Sequence, residues 1–383
     1  MSLRGNWNYP TTVRFGAGRI EELPGAAKDL GITRALLVTD RGLAPLPMVA
    51  DAVARLEAAG LGAGVFSEVK PNPTGADVAR GVAALRDGGF DGVIAFGGGS
   101  ALDAAKAIAL MWKQTRPLFD FEDRADWWTR IDPNGMAPVV AVPTTSGTGS
   151  EVGRASVIVD EAEHTKKIIF HPKMLPGRVI ADPALTVGLP PFLTAATGID
   201  ALSHALEAYC APGFHPMADG IAVEAIRLVH QALIPAFRDG ADLDARAKMM
   251  AASMMGATAF QKGLGAMHSV AHVVGAHTDA HHGLLNAIMM PYVLLHNRSA
   301  IEGRIADLAR AMGLTPSFDA FVAWVLELRL STGIPATLDA VGVKAADVPR
   351  FAALSVDDPS TGSNPVVMDA AAFEVLYRAA LAG

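Results

Sequence analysis

Histidine is spread unevenly along this chain of 383 residues. None of the 11 precedes residue 164, and five (His268, His272, His277, His281 and His282) fall within 15 positions, where an even spread would place fewer than one. Asp200 and His204 are four apart in a stretch of helical periodicity, so both side chains leave one face a turn apart, as a chelating pair must. His268 and His272 repeat that spacing. A carboxylate with two or three imidazoles is a mixed oxygen and nitrogen donor set that suits Fe(II) or Zn(II) and leaves a coordination position for substrate. Taken singly, any of these histidines reads better as a surface or capping residue; the clustering beside a paired aspartate is what favours a metal. Spacing alone leaves open which of the five are ligands, with His272, His277 and His281 undecided.

A second constellation lies upstream. Residues 92–96 read as a buried strand and 101–112 as a helix, joined by Gly97-Gly-Gly-Ser100. Glycines there let backbone approach a phosphate, and the helix N-terminus offers N–H groups and a positive dipole. Any tight turn uses glycine, however, and Ser100 with Asp103 suits a plain helix cap equally well. The hydroxyl-rich loop at 144–150 follows the strand at 138–142 and would reach the same ligand from the other side. Asp40 ends the strand at 34–39, where a carboxylate binds the ribose hydroxyls of NAD and repels the 2′-phosphate of NADP. Its plain alternative is a turn aspartate before Arg41-Gly42. The order is the reverse of the common dinucleotide fingerprint, in which the glycine turn precedes the acid, so these residues alone support a nucleotide site only loosely.

The elements that must position these groups follow from periodicity. From about 34 to 182, β-branched runs alternate with amphipathic stretches, such as the helical pattern at 47–59 that stops at Gly60, the signature of parallel strands joined by crossover helices. After about 185 the strands give way to helical patterns at 192–209, 216–237, 243–260 and 266–276. An α/β domain over 1–185 and an all-α domain over 186–383 are therefore expected, divided at the Pro- and Gly-bearing segment 182–191, with the cleft between them as the ligand site. A net charge of −7 opposes nucleic acid and anionic membrane as partners and leaves small molecules as the expected ligands. The single cysteine, Cys210, excludes an intramolecular disulfide and an all-cysteine metal cage and fits a reducing compartment. The longest clean apolar run, 287–295, is far short of the ~20 residues of a bilayer span. A soluble, cytoplasmic protein is expected.

Gly97-Gly-Gly-Ser-Ala-Leu-Asp103, Pro143-Thr-Thr-Ser-Gly-Thr-Gly-Ser-Glu151, Gly198-Ile-Asp-Ala-Leu-Ser-His-Ala-Leu-Glu-Ala-Tyr209, and His268-Ser-Val-Ala-His272 through His282-Gly283 together resemble the iron-containing (group III) alcohol dehydrogenases. The resemblance spans nearly the whole chain, and four motifs in one order are far more specific than any one of them. It implies the fold of that family and of the dehydroquinate synthases, an α/β dinucleotide-binding domain followed by an all-α, metal-binding catalytic domain, with Asp200, His204, His268 and His282 as metal ligands and His272 near the substrate as proton relay. It also implies dinucleotide contacts from Asp40, Asn72, Gly97, Gly98, Ser100, Asp103, Thr144, Thr145, Thr148, Lys167 and Leu185. Asp40 makes NAD the expected cofactor. Iron is the expected metal by resemblance, with zinc bound at least as tightly by the usual affinity order.

The chain departs from the family at Gly275-Ala-His-Thr-Asp-Ala-His-His282, where many relatives carry an aromatic residue and a proline, so His277 and His281 match no transferable ligand. The segment 260–265 and Trp127-Trp128 likewise lack a family assignment. The implied activity is interconversion of an alcohol with its aldehyde or ketone, the cation acting as Lewis acid while hydride passes to nicotinamide. The alternatives are a dehydroquinate-synthase-like lyase, which needs more basic residues than the helical half offers, and a glycerol-dehydrogenase-like polyol oxidoreductase. A homodimer is expected, paired along an edge strand at 11–15.

Overall fold

The structure is a computed structural model that describes residues 11–163 and 165–383. The first ten residues of the expected N-terminal domain lie outside the described residues. Two compact units divide between Val187 and Gly188.

The first unit alternates strand and helix: β1 (Thr12–Phe15), α1 (Leu23–Asp29), β2 (Arg34–Asp40), α2 (Pro47–Ala58), β3 (Gly62–Val69), α3 (Gly75–Asp87), β4 (Gly92–Gly97), α4 (Gly99–Met111), β5 (Val139–Pro143), β6 (Ala155–Asp160), β7 (Thr165–Phe170) and β8 (Arg178–Ala181). Six strands form a parallel sheet in the order β1-β8-β5-β4-β2-β3, while β6 and β7 pair separately as an antiparallel hairpin. The central β4 and β5 are buried along their whole length, as strands covered by helices on both faces must be, hence their continuous apolar runs. From β2 the chain moves outward to β3 and then returns to lay β4 on the other side of β2. The order thus reverses between β2 and β4, and at such a point the carboxyl ends of the two strands open a crevice suited to a ligand. Asp40 and Gly97 are the last residues of those strands.

The second unit is helical: α5 (Pro191–Cys210), α6 (Pro216–Arg238), α7 (Leu243–Ala259), α8 (Ala266–Thr278), α9 (His282–Ala311), α10 (Phe318–Ser331), α11 (Val348–Val356) and α12 (Ala370–Ala382). Every residue of α5 from 194 to 210 is buried, so it is the central rod of the unit and carries its polar groups inward of necessity. Cys210 ends this helix, and burial pushes its thiol up to about 12. One neighbouring helix, α9, reaches α5 closely because it presents no side chain at the contact. A Cβ on Gly283, in the first turn of α9, would lie 2.3 Å from the Ala196 carbonyl oxygen and 3.0 Å from Cβ of Asp200.

Since Ala196 is backbone, the clash at Gly283 cannot be relieved by a rotamer change. Gly283→Ala should destabilise the chain by roughly 1–3 kcal/mol and displace His282 from Asp200. Thermal unfolding together with metal content would measure both; an unaltered midpoint with full metal content would contradict this packing.

Candidate metal centre and dinucleotide cradle

Helical spacing on α5, α8 and α9 brings one atom each from Asp200, His204, His268 and His282 together, all within 4.8 Å of one another. Asp200, His204 and His268 are buried and His282 partly so. The rings of His204 and His268 stack at 4.7 Å between centroids, and His282 lies 5.3 Å from His268. His282 Nε2 is 3.6 Å from Asp200 Oδ1.

Asn286, one turn beyond His282, donates from Nδ2 to Asp200 Oδ1 at 2.8 Å, and the same nitrogen lies 3.3 Å from His268 Nε2 and 3.2 Å from His282 Nε2. With both Nε2 atoms unprotonated, as metal ligation requires, two amide protons face three acceptors, and a divalent cation makes good that shortage of positive charge. Borderline nitrogen donors with one carboxylate match Fe(II) or Zn(II), so the residues present fit the metal the sequence implied.

The His268 ring is held from behind, its Nδ1 lying 2.6 Å from Glu207 Oε2. Burial pushes the His268 pKa down more than any one neighbour lifts it, but the hydrogen bond to Glu207 and the negative charges of Glu207, Asp200 and Asp358 together outweigh burial and raise it. His272 lies beside the cluster, its ring stacked on His282 at 5.3 Å and 14°, and its Nδ1 is 2.9 Å from Asp358 Oδ2. Asp358 also accepts from the Ser360 N–H. Its burial favours the neutral acid, but His272 and Ser360 overcome this and hold the carboxyl below its ordinary value. The other two histidines left open by spacing take no part in the cluster. His277 is exposed, with Nδ1 2.8 Å from the Val273 carbonyl oxygen and its ring against Phe351, and His281 is the N-cap of α9. The unassigned segment 260–265 does reach the site: the Phe260 ring lies 5.1 Å from His204, and Gly265 is the N-cap of α8.

In the first unit the two small-residue loops interlock. The Thr144 N–H donates to the Gly97 carbonyl oxygen at 3.0 Å. A Cβ on Gly99 would lie 2.5 Å from Thr148 Cγ2, and one on Gly98 3.2 Å from Thr145 Cγ2, so only glycine lets the loops approach this far. No side chain caps α4, which leaves its first N–H groups facing the crevice end of the sheet. Ser100 Oγ donates to the Pro71 carbonyl oxygen, which brings the Asn72 segment to the same turn. Asp40 spends Oδ1 on the N–H groups of Gly42 and Leu43, and its Oδ2 would lie 3.7 Å from a Cβ on Gly97.

Asp103 does not cap α4. Its Oδ1 accepts from Ser150 Oγ at 2.5 Å, its Oδ2 from the Val157 N–H at 2.9 Å, and it pairs with the fully buried Lys106. Lys106 in turn donates to the carbonyl oxygens of Ser150 and Ala155, so this pair ties α4 to the 144–150 loop and to β6. Lys167 is engaged by Asp160 at 2.7 Å and Glu163 at 2.9 Å, and Leu185 packs on the sheet's core.

The description "iron-containing alcohol dehydrogenase" matches residues 10–183, and that of the family's C-terminal domain matches 194–381. The chain belongs to the iron-containing alcohol dehydrogenases. It is 40% identical over 373 residues to the 4-hydroxybutyrate dehydrogenase of Cupriavidus necator, covering 95% of this chain and 96% of that one. The crystal structure of a 1,3-propanediol oxidoreductase superposes with a TM-score of 0.92 at 34% identity, covering 98% and 99% of the two chains. That of the Bifidobacterium kashiwanohense sulfoacetaldehyde reductase in complex with NAD+ does so with 0.88 at 28%, covering 99% of each. The enzyme is accordingly an oxidoreductase of the iron-containing alcohol dehydrogenase class that interconverts an alcohol and its carbonyl product with NAD(H).

Sequence reasoning missed Glu207, Asn286 and Asp358. Glu207 follows His204 by three residues, and Asn286 follows His282 by four, spacings that place each one turn from a ligand. Asp358 is more than 80 residues from His272 and gave no such signal. Replacing His268 or His282 by Ala in this dehydrogenase should abolish bound iron and turnover together; full metal content by elemental analysis in either variant would refute its role as ligand.

Proposed function

We propose that the enzyme acts on short-chain primary alcohols and their aldehydes, with His272 as the proton relay. The observation that carries this reading is the convergence of Asp200, His204, His268 and His282 beside a histidine already held by a carboxylate. A divalent cation bound by those four side chains supplies a Lewis acid for the alcohol oxygen. Because Asp358 accepts a backbone N–H as well as the His272 contact, the carboxylate orients Nδ1 of His272 as donor and leaves Nε2 as its basic atom. That atom takes the proton released as hydride leaves the carbinol carbon for NAD+, and returns one when an aldehyde is reduced. The similarity to enzymes named for 4-hydroxybutyrate, 1,3-propanediol and sulfoacetaldehyde supports small functionalised substrates.

For the dinucleotide, the reading assigns the pyrophosphate to Gly97, Gly98, Ser100 and the α4 N-terminus, with Thr144, Thr145 and Thr148 opposite and Asn72 alongside. Asp103 braces this cradle. Lys167 contributes through whichever N–H its two carboxylates leave over, Leu185 flanks the strand ends, and Asp40 takes the ribose hydroxyls. Among the described residues β1 is an edge strand paired only with β8, which supports a homodimer through that strand, and the buried lone thiol is compatible with a cytoplasmic enzyme.

Anaerobically purified protein should contain iron. It should form NADH in step with product when given 4-hydroxybutyrate, 1,3-propanediol, ethanol or butanol, or consume NADH with the matching aldehydes. A flat absorbance trace across the whole panel with iron present would sink the substrate reading. Asp40→Gly should move the ratio of kcat/KM for NADP over NAD upward by about tenfold or more, on the order of a lost hydrogen bond to a charged group; an unmoved ratio would remove Asp40 from the cofactor site.

A further inference from the structure

Glu207 is buried and touches none of the atoms that converge on the metal position, yet three donors point at its carboxylate. Oε2 accepts the Gly265 N–H at 2.8 Å and lies 2.6 Å from His268 Nδ1; Oε1 accepts the Met267 N–H at 2.8 Å. Two backbone N–H groups can only be met by acceptors, so the carboxylate fixes the proton of His268 on Nδ1 and leaves Nε2 with its lone pair toward the cluster. Gly265 is the N-cap of α8 and has no side chain to cap with. Glu207, arriving from α5, therefore caps α8 from outside and meets the N–H groups that the helix start leaves unserved. The same side chain thus sets where α8 begins and how its third residue presents its ring.

We propose that Glu207 is the positioning residue of the metal centre, fixing the tautomer and rotation of His268 so that metal affinity depends on a carboxylate that does not bind the metal. This rests on the metal reading of Asp200, His204, His268 and His282. Glutamine at 207 has nearly the same shape but offers one acceptor and one donor to three donors. If its amide nitrogen faces His268, the ring must accept at Nδ1 and carry its proton on Nε2, the atom required for the metal. If it faces the α8 backbone, two N–H groups oppose each other.

The test uses the full chain stripped of metal and titrated with Co(II) against a competing chelator, following both the dissociation constant and the visible Co(II) absorption. Glu207→Gln should weaken binding about 10–100-fold and alter the Co(II) band, while the metal-free variant keeps the helical circular dichroism of the parent. Glu207→Ala, which also removes the cap, should weaken binding at least as much. Parent-like affinity and spectrum in Glu207→Gln would overturn the proposal alone. A parent chain that takes up no Co(II) would overturn the metal reading and this proposal with it. Weaker binding matched by an equal loss of helix in both variants would reduce Glu207 to a structural cap and also overturn the proposal.

Discussion

Three imidazoles and a carboxylate that aim their lone pairs at one buried spot repel one another, and a protein can hold them there only if the surrounding helices cannot relax. In this chain the restraint is α5. Enclosed from 194 to 210, it has no freedom to rotate Asp200 and His204 outward. The absence of a side chain at Gly283 brings α9 against the Ala196 carbonyl beside Asp200. Backbone packing at that glycine therefore does for His282 what the Glu207 carboxylate does for His268: each imidazole is set by something other than the cation it serves.

The first unit solves a different problem with the same economy of side chains. Bringing the backbone N–H groups of two loops from different strands to one point requires those loops to lie almost in contact. Glycines 98 and 99 against Thr145 and Thr148 allow the approach, and the half-buried Asp103 with the buried Lys106 holds it. Burying a lysine is costly unless it is paired and hydrogen-bonded, and here both conditions are met: burial lowers the Lys106 pKa, against the opposing pull of Asp103 and Glu151.

The parts of this architecture visible in the sequence were those carried by strong periodicity or by sequence-local chemistry. The runs at 34–39, 92–96 and 138–142 announced strands because β2, β4 and β5 are enclosed by helices, and the i, i+4 pairs announced helix faces. β3 went unread because Gly62-Ala-Gly-Val is poor in β-branched residues and gains its strand conformation from pairing with β2. The β6–β7 hairpin was passed over although its strands carry Val157-Ile-Val159 and Ile168-Ile169, because the expected pattern was parallel strands joined by helices and this pair is antiparallel and apart from the main sheet. Among the histidines, spacing could not separate ligands from neighbours, since His272 and His268 share one helix face and only the approach of Asp358, from far along the chain, gives His272 a different environment. The plain helix cap that the sequence offered as an alternative for Asp103 is not what the residue does, since its partners Ser150 and Val157 lie about 50 residues away.

The lone thiol, at the C-terminal end of α5, has a consequence for handling the protein. Cys210 is buried, and burial raises its pKa to about 12, the setting of an unreactive structural thiol. A thiol in that setting is a poor target for sulfenylation or disulfide exchange, so a reducing agent in the buffer has little to protect at this position.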